Sequence, residues 1–397
     1  MFEMVARDSL RVTTASPSLN SRATLLTLLL ALLLACTFQH TRGLWGPDEG
    51  RYSNIALQMV ESGDWITPRR HPEHTHFAKP PLTYWAIAAS VSVFGKSEFA
   101  LRLPNGLSLL ATVALLTLLG QRLAPAAPWL PGLIFATSLV PFAAANLINT
   151  DFLLTAFETL AVYGFVRIWQ ATGARETGHG RLLLWTGLGL AFMTKGPPGL
   201  LPLLPILVFV RSLPKPRPAL LDLRSMCLFA AIALPWYFVV VVANPGLFDY
   251  FLHYEVVGRV FTDVHDRNAG WLGAFRIYLP VLLLGMLPWS LILLAPTRQL
   301  WRQRRALVSW WRQRAIEDRW LLTWFTLPLL VFFFARSRLP LYILPLLVPL
   351  ALVIARRWQA DQPLPIRRIA AIAAVSATLL MALKIGLPLA PHPKDTR

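Results

Sequence analysis

Two aspartates and two lysines lie beside strongly apolar segments of this chain. Asp48 occurs in LWGPDEGRY, after the first apolar run, and Asp151 occurs in NLINTDFLL, where a later run begins. Lys79 precedes a Pro-Pro pair in HFAKPPLTYW, and Lys195 follows a long uncharged stretch at a Gly-Pro-Pro-Gly turn. Carboxylates can accept a proton or stabilise positive charge, and a cation between apolar segments needs an anionic partner or water. The four residues therefore predict chemistry on an anionic group at a membrane edge.

Further polar residues lie at the ends of the same apolar segments. Glu49 suits the positive end of a helix dipole whereas Arg51 does not, so we expect Arg51 to have another task. Arg336 and Arg338 occupy a short turn, where paired hydrogen bonds to a phosphate compete with contacts to ordinary lipid headgroups. Tyr52 and Tyr342 are also candidate substrate-binding residues.

Each of these residues also has a structural explanation. Asp48 follows Gly-Pro and precedes an amphipathic helical pattern, so it could simply cap that helix. Lys79 could extend its ammonium group to the lipid headgroups. Asp151 is less easily explained in this way, because Asn149 or Thr150 could cap the helix that follows it.

Histidines in RRHPEHTHFAK suggest a metal site only weakly. His71, His74 and His76 could bind a metal together with Glu73 or His265, but their spacing matches no structured metal motif. We expect solvated loop histidines here. The residues assign no cofactor and leave a divalent metal open.

The composition indicates an integral membrane protein. Of 397 residues 55% are hydrophobic and 15 are tryptophan, which is unusual for a soluble domain. The net charge of +18 comes largely from arginines in short loops between apolar runs, as the positive-inside rule predicts, so nucleic acid is not an expected partner. We expect residues 1–397 to form a single transmembrane domain without a soluble C-terminal domain.

The apolar runs predict about eleven transmembrane helices. A shorter run at 82–94 is interpreted as a helix lying along the interface, because counting it as a crossing would put later arginine-rich loops outside. With the N-terminus in the cytoplasm, the first periplasmic loop covers about 43–103, and the candidate residues all lie on the periplasmic side. The predicted spans are 23–40, 103–120, 126–145, 151–169, 180–194, 197–211, 225–243, 276–296, 320–335, 339–355 and 368–388.

An ordered series of motifs resembles a known family. The series begins with GPDEGRYSNIALQMVESGDWITPR, HFAKPPLTYW and FGKSEFALRLPNGL. It continues through NTDFLLTAF, GLAFMTKGPPGLLPLL, PWYFVVVVANPGLFDYFLHYEVVGRVF, LPVLLLGMLPWSL and SRLPLYILPLLVPLAL. Over most of 40–355 it is similar to the lipid A aminoarabinose transferases, within the wider protein-mannosyltransferase-like membrane glycosyltransferases.

The resemblance implies a type C glycosyltransferase fold, all-α and polytopic, with interfacial helices in the first periplasmic loop. It implies transfer of a sugar from a polyprenyl-phosphate donor to lipid A, another envelope glycolipid or a protein, at the periplasmic face of a bacterial inner membrane. Asp48 would be the leading catalytic acid and Asp151 the second, with Lys79 and Lys195 near the donor phosphate. Arg338 stands where the family usually has Lys, and Ala78 stands where many relatives have an acid.

A lipid or glycolipid transporter is the alternative, because many spans with paired charges also describe transporters. A transporter should place ionisable residues near the middle of the bilayer and on repeated half-folds. Here the candidate residues lie at one end of the spans, and the sequence contains no evident internal repeat. The pattern therefore favours the enzyme.

Overall fold

Helices form nearly all of the regular structure. The computed structural model describes residues 17–258, 268, 270, 272–294, 311, 313–360 and 365–386. The first helices are α1 (Pro17–Cys36), α2 (Gly46–Ser62), α3 (Leu82–Phe94), α4 (Glu98–Leu123), α5 (Leu130–Ala136), α6 (Leu139–Ala145), α7 (Asp151–Trp169) and α8 (Ala174–Lys195). After a 3-10 turn at Pro197–Leu200 come α9 (Leu203–Ser212), α10 (Leu223–Ala233), α11 (Pro235–Ala243), α12 (Leu247–Asp249) and a π-helical turn at Tyr250–Val257. The remaining elements are α13 (Gly273–Leu284), α14 (Leu291–Leu294), α15 (Ile316–Phe334), a 3-10 turn at Pro340–Leu346, α16 (Leu347–Ala360) and α17 (Ile366–Gly386).

The loop between α1 and α4 folds as a compact unit. The predicted amphipathic helix after Asp48 is confirmed as α2, which buries an apolar face led by Ile55 and Met59 against α3. Between these helices, strands β1 (Arg69–His71) and β2 (His74–Thr75) form a short antiparallel hairpin that the sequence did not predict. Indole N–H groups of Trp85 and Trp236 donate to the carbonyls of Trp65 and Ile66, at 2.6 and 2.8 Å. These bonds attach the loop to α3 and α11.

Small residues let α7 and α8 approach closely. Among the described helices, these two make the most extensive pairwise contact. A Cβ atom at Gly187 of α8 would lie only 2.5 Å from the backbone nitrogen of Ala161 of α7. Close approach of backbones through small residues is a common way for membrane helices to associate. The pair matters for function because α7 begins at Asp151 and α8 ends at Lys195.

The predicted spans are largely helical, but prolines and short breaks divide several of them. Segment 126–145 is split into α5 and α6, and segment 225–243 bends by 41° where α11 begins with Pro235. Proline removes a backbone donor and displaces the preceding turn. Among the described residues, four helices are long and apolar enough to cross a membrane alone, or five if the bent α10–α11 pair is one span. This number is lower than the expected eleven because the remaining segments are shorter, broken or interrupted by polar residues.

We predict that Gly187→Ala destabilises the protein, because the added Cβ atom would meet the α7 backbone. The midpoint of thermal unfolding in detergent should fall by several degrees. Gly178→Ala is the matched control on the same helix, since a Cβ atom there meets nothing within 4 Å. That control should be neutral or slightly stabilising, because Ala favours helix more than Gly does. Equal midpoints for the two variants would contradict the close α7–α8 approach.

Candidate active site

Asp48 lies in the first turn of α2 but does not cap the helix. Trp45 is the N-cap residue, and its backbone N–H donates to Oε2 of Glu49 at 2.7 Å. Glu49, and not Asp48, therefore satisfies a backbone donor at the start of α2. The Asp48 carboxylate instead forms an ion pair with Arg51, one turn further along, and its side chain is 49% exposed. Asp48 is thus available to a ligand.

Asp151 also lies in a first helical turn without capping it. The Oδ1 atom of Asn149 accepts the backbone N–H of Phe152 at 2.9 Å, so Asn149 satisfies the start of α7. Asp151 is then available to pair with Lys195 at the end of α8. The side chains of this ion pair are only 7% and 10% exposed, and the Lys195 ammonium lies 4.1 Å from the ring centroid of Tyr342. A largely buried cation is thereby held at a defined position.

The two carboxylates line one cavity of about 250 Å³. The predicted residues that the structure brings together there are Asp48, Arg51, Tyr52, Lys79, Asp151, Lys195 and Tyr342. Residues that the sequence did not predict as part of the site are His76, Ala78, Asn149, Thr150 and the segment Leu339, Pro340 and Leu341. Charged groups of both signs thus meet at one end of the helices.

An apolar cavity of about 340 Å³ adjoins the polar one. Both cavities are lined by Ala78, Lys79 and Lys195, so the two lysines lie at their junction. The apolar cavity is bordered by aromatic and aliphatic side chains of α8, α11 and the segment after it, namely Phe192, Tyr237, Val241, Phe248, Phe251 and Leu252. The arrangement can accommodate a molecule with an anionic head and a long apolar tail.

Glu49 lies outside the cavity and at the centre of a buried ion-pair network. Its carboxylate accepts hydrogen bonds from Arg42 at 2.7 and 3.0 Å, from Arg102 at 3.2 and 3.3 Å, and from the backbone N–H of Ile148 at 3.1 Å. Burial by itself would raise the pKa of Glu49, but the hydrogen bonds from these arginines and from Trp45 lower it overall. Glu49 was expected to bind substrate, and the structure instead gives it a role in joining α2, α4 and the turn before α7.

Arg338 is likewise placed away from the cavity. Its guanidinium donates to the backbone carbonyls of Asn268, Gly270 and Phe333, at 2.7, 3.0 and 3.1 Å, and the residue is 5% exposed. These bonds occupy Nη1 and part of Nη2, whereas the buried Nε has no hydrogen-bond partner in the part of the chain that the structure describes. Arg336 does not line the cavity either. The segment directly after these arginines, Leu339 to Leu341, lines the cavity instead.

The three histidines differ in environment. His71 and His74 are exposed in the hairpin, as expected, whereas His76 is half-buried and lines the cavity. Burial and then the neighbouring cations lower the pKa of His76 to about 4 from its ordinary 6.5. These cations are Arg70, Arg51 and Lys79. Among the described residues no three His, Cys, Asp or Glu side chains could hold a metal ion, and His265 lies outside the described residues.

Comparison with solved structures identifies the class of fold. The chain superposes on ArnT from Cupriavidus metallidurans bound to undecaprenyl phosphate with a TM-score of 0.73 and 25% identity, covering 90% of this chain and 63% of that one. It also matches the oligosaccharyltransferase AglB from Archaeoglobus fulgidus with a TM-score of 0.52 and 13% identity, covering 93% of this chain and 54% of the other. The chain therefore has the type C glycosyltransferase fold of polytopic membrane proteins, as predicted.

Comparison with known sequences shows which transferases this chain is similar to. The pattern of the family described as dolichyl-phosphate-mannose-protein mannosyltransferase matches residues 78–243. The undecaprenyl phosphate-alpha-4-amino-4-deoxy-L-arabinose arabinosyl transferase 2 of Proteus mirabilis is 31% identical over 85% of this chain and 60% of its own length. A corresponding transferase 1 of Pseudomonas fluorescens is 35% identical over 79% of this chain and 55% of its own length. The chain is thus similar to bacterial aminoarabinose transferases of the type C glycosyltransferase fold, and it spans about 60% or less of the length of these relatives.

We predict that Glu49→Gln strongly destabilises the protein, because two buried arginines would lose their shared anion. Breaking a buried ion pair typically costs about 3–5 kcal/mol. The matched control is Glu61→Gln, since Glu61 pairs with Lys96 at an exposed position, where ion pairs contribute about 0–1 kcal/mol. Thermal unfolding of the two variants in detergent measures the difference. Similar small losses in both would contradict the role of Glu49 as a structural anion.

The lowered pKa of His76 predicts a pH dependence of stability. Between pH 6.5 and about 4 the unfolded chain binds a proton at this position that the folded chain does not, so stability falls as pH falls through this range. In His76→Gln this part of the loss should disappear. The measurement is the unfolding midpoint of both proteins from pH 7.5 to 4. Parallel curves for the two proteins would contradict the neutral, half-buried imidazole.

Proposed function

We propose that the chain transfers a sugar from a polyprenyl-phosphate donor to an envelope glycolipid, with lipid A as the leading acceptor. The observation that carries the proposal is the cavity where Asp48 and the Asp151–Lys195 pair meet at the entrance of an apolar cavity. Such a site suits a lipid-linked phosphate, because the tail and the charged head need different surroundings. The similarity to transferases whose names specify an undecaprenyl-phosphate sugar adds to this support.

The lysines are the proposed partners of the donor phosphate. Lys79 and Lys195 lie at the junction of the two cavities, so a phosphate between them would direct its polyprenyl chain into the apolar one. Bond cleavage leaves the electron pair of the C1–O bond on the polyprenyl phosphate, and the two ammonium groups stabilise that charge. Asp151 is then a positioning residue, since its carboxylate holds the Lys195 ammonium in place.

Asp48 is the proposed catalytic carboxylate, which would contact the reacting atoms directly. Its side chain is half exposed, in contrast to Asp151, and it lines the same cavity. The acceptor oxygen forms the new bond to C1 of the sugar, and Asp48 accepts the proton of a hydroxyl acceptor or stabilises positive charge on the ring when the acceptor is a phosphate. Arg51 is paired with Asp48 and would orient its carboxylate.

A periplasmic location is part of the proposal. Arg167 at the end of α7, and Arg175 and Arg181 at the start of α8, lie at the helix ends opposite Asp151 and Lys195. The positive-inside rule favours a cytoplasmic position for such arginines. The cavity residues occur at one end of the helices and not along a central path, which favours transfer over transport across the membrane.

The test is transfer of label from a radiolabelled undecaprenyl-phosphate aminosugar to lipid A in proteoliposomes. We predict that Asp48→Asn lowers the rate at least about 100-fold, in the range typical for a lost acid–base group, while retention of undecaprenyl phosphate stays unchanged. The matched control is Asp249→Asn, since Asp249 is 77% exposed and lies outside the cavity, and its rate should equal that of wild type.

Two results would contradict the proposal. Equal transfer by wild type and Asp48→Asn would remove Asp48 from the mechanism. Movement of the labelled lipid between leaflets without any transfer by the wild-type chain would favour the transporter.

A further inference from the structure

A further cavity, lined by cations, adjoins the Glu49 network through Arg42, Trp45 and Arg102. It has a volume of about 160 Å³ and lies between the end of α1, α6 and the end of α17. It shares no lining residue with the cavity of the proposed active site. The charged side chains that line it are Arg42, Arg102 and Lys384. All three are cations, so the cavity carries a surplus of positive charge.

Lys384 is the unusual member of this set. It is 7% exposed, and its ammonium donates to the carbonyl of Leu34 at 3.1 Å. No carboxylate of the described residues lies within 4 Å of this ammonium, whereas Arg42 and Arg102 pair with Glu49 and Lys195 pairs with Asp151. An ammonium has three donors, so one carbonyl leaves donors available for a ligand. A buried cation at a membrane edge needs an anionic partner or water, so Lys384 is suited to hold an anionic group.

Arg42 and Arg102 add positive charge to the cavity, but most of their N–H donors already have partners. Every N–H-bearing nitrogen of the Arg102 guanidinium is already bonded to Glu49 or to backbone carbonyls. Arg42 donates twice to Glu49 and also to the carbonyls of Gly43 and Asn146. The shared Glu49 carboxylate can balance only one of these arginines. The remaining positive charge acts on the cavity together with Lys384.

The rim of the cavity is apolar and contains a strained residue. Phe38 has a φ of 55°, the left-handed conformation that non-glycine residues rarely adopt, and its side chain remains 41% exposed. Such conformations are often found at ligand sites. Leu383, 46% exposed, lies on the same cavity. An anionic head held at Lys384 would therefore have apolar side chains beside its tail.

The surroundings of α17 indicate that the ligand is a lipid. Only 28% of the residues in its most apolar stretch are buried, compared with 67% for α7, so α17 faces mainly the acyl chains of the bilayer. A phospholipid can reach the cavity laterally, whereas a soluble anion would have to leave water. We propose that this cavity binds the phosphate of an anionic phospholipid through Lys384. The negative charge of the bound phosphate would also offset the positive charge of Arg42 and Arg102, which line the same cavity.

The test compares phosphatidylglycerol with neutral phosphatidylcholine as added lipid on the purified full chain. Native mass spectrometry should find that each wild-type chain retains one more phosphatidylglycerol than phosphatidylcholine molecule. Lys384→Met should weaken the retention of phosphatidylglycerol at least about tenfold, because a charge-assisted contact is lost. Lys96→Met is the matched control, since Lys96 is 60% exposed and pairs with Glu61. It should retain the lipid as wild type does.

Thermal unfolding supplies an independent readout. Phosphatidylglycerol should raise the wild-type midpoint by several degrees more than phosphatidylcholine does, and inorganic phosphate should not reproduce the shift. Lys384→Arg, which keeps the charge, should keep the preference, so the test does not depend on the folding of the methionine variant. Equal responses of the wild-type chain to the two lipids would overturn the proposal. A matching shift with inorganic phosphate would overturn the assignment to a lipid.

Discussion

The buried carboxylate of Glu49 is the constraint on which the arrangement of the site depends. It neutralises charge from Arg42 and Arg102 and also accepts backbone N–H groups of Trp45 and Ile148. These contacts join the start of α2 to α4 and to the turn that precedes α7. Since Asp48 is the neighbour of Glu49, and Asp151 lies three residues after Ile148, one anion sets the distance between the two aspartates. A buried ion pair contributes little stability relative to apolar packing, but it does require a particular geometry.

The two aspartates have nearly the same local position and quite different surroundings. Each lies in the first turn of a helix, and each is relieved of capping by a neighbour, Glu49 in one case and Asn149 in the other. Asp151 is then used to hold a buried lysine, and Asp48 remains half exposed beside Arg51. The α7–α8 contact is one cause of this difference. Close packing of the two backbones brings Asp151, at the start of α7, to Lys195, at the end of α8.

Much of the fold and part of the site could be predicted from residue types and spacing. Apolar runs indicated the helices, and the pattern after Asp48 indicated α2, because hydrophobic periodicity depends only on local sequence. Prolines such as Pro235 were visible, but their effect on a helix depends on what packs against the break. The contrast between Glu49 and Asp48 was not predictable, because burial is decided by residues far away in the chain. Arg102 lay just before a predicted span and carried no sign that it would be an interior cation.

The same reasoning explains why arginines were harder to assign than lysines. A guanidinium has five donors in a fixed plane, so Arg338 and Arg102 can satisfy distant backbone carbonyls and act as structural cross-links. An ammonium has three donors on one nitrogen atom, so it reaches fewer widely separated backbone carbonyls than a guanidinium does. The buried lysines therefore remain close to places where an anion is needed: Lys195 beside Asp151 and the proposed donor phosphate, and Lys384 beside a cavity that faces lipid. In this structure each of the two buried lysines therefore lines a cavity, whereas Arg338 is bonded to backbone carbonyls and lines neither of the two.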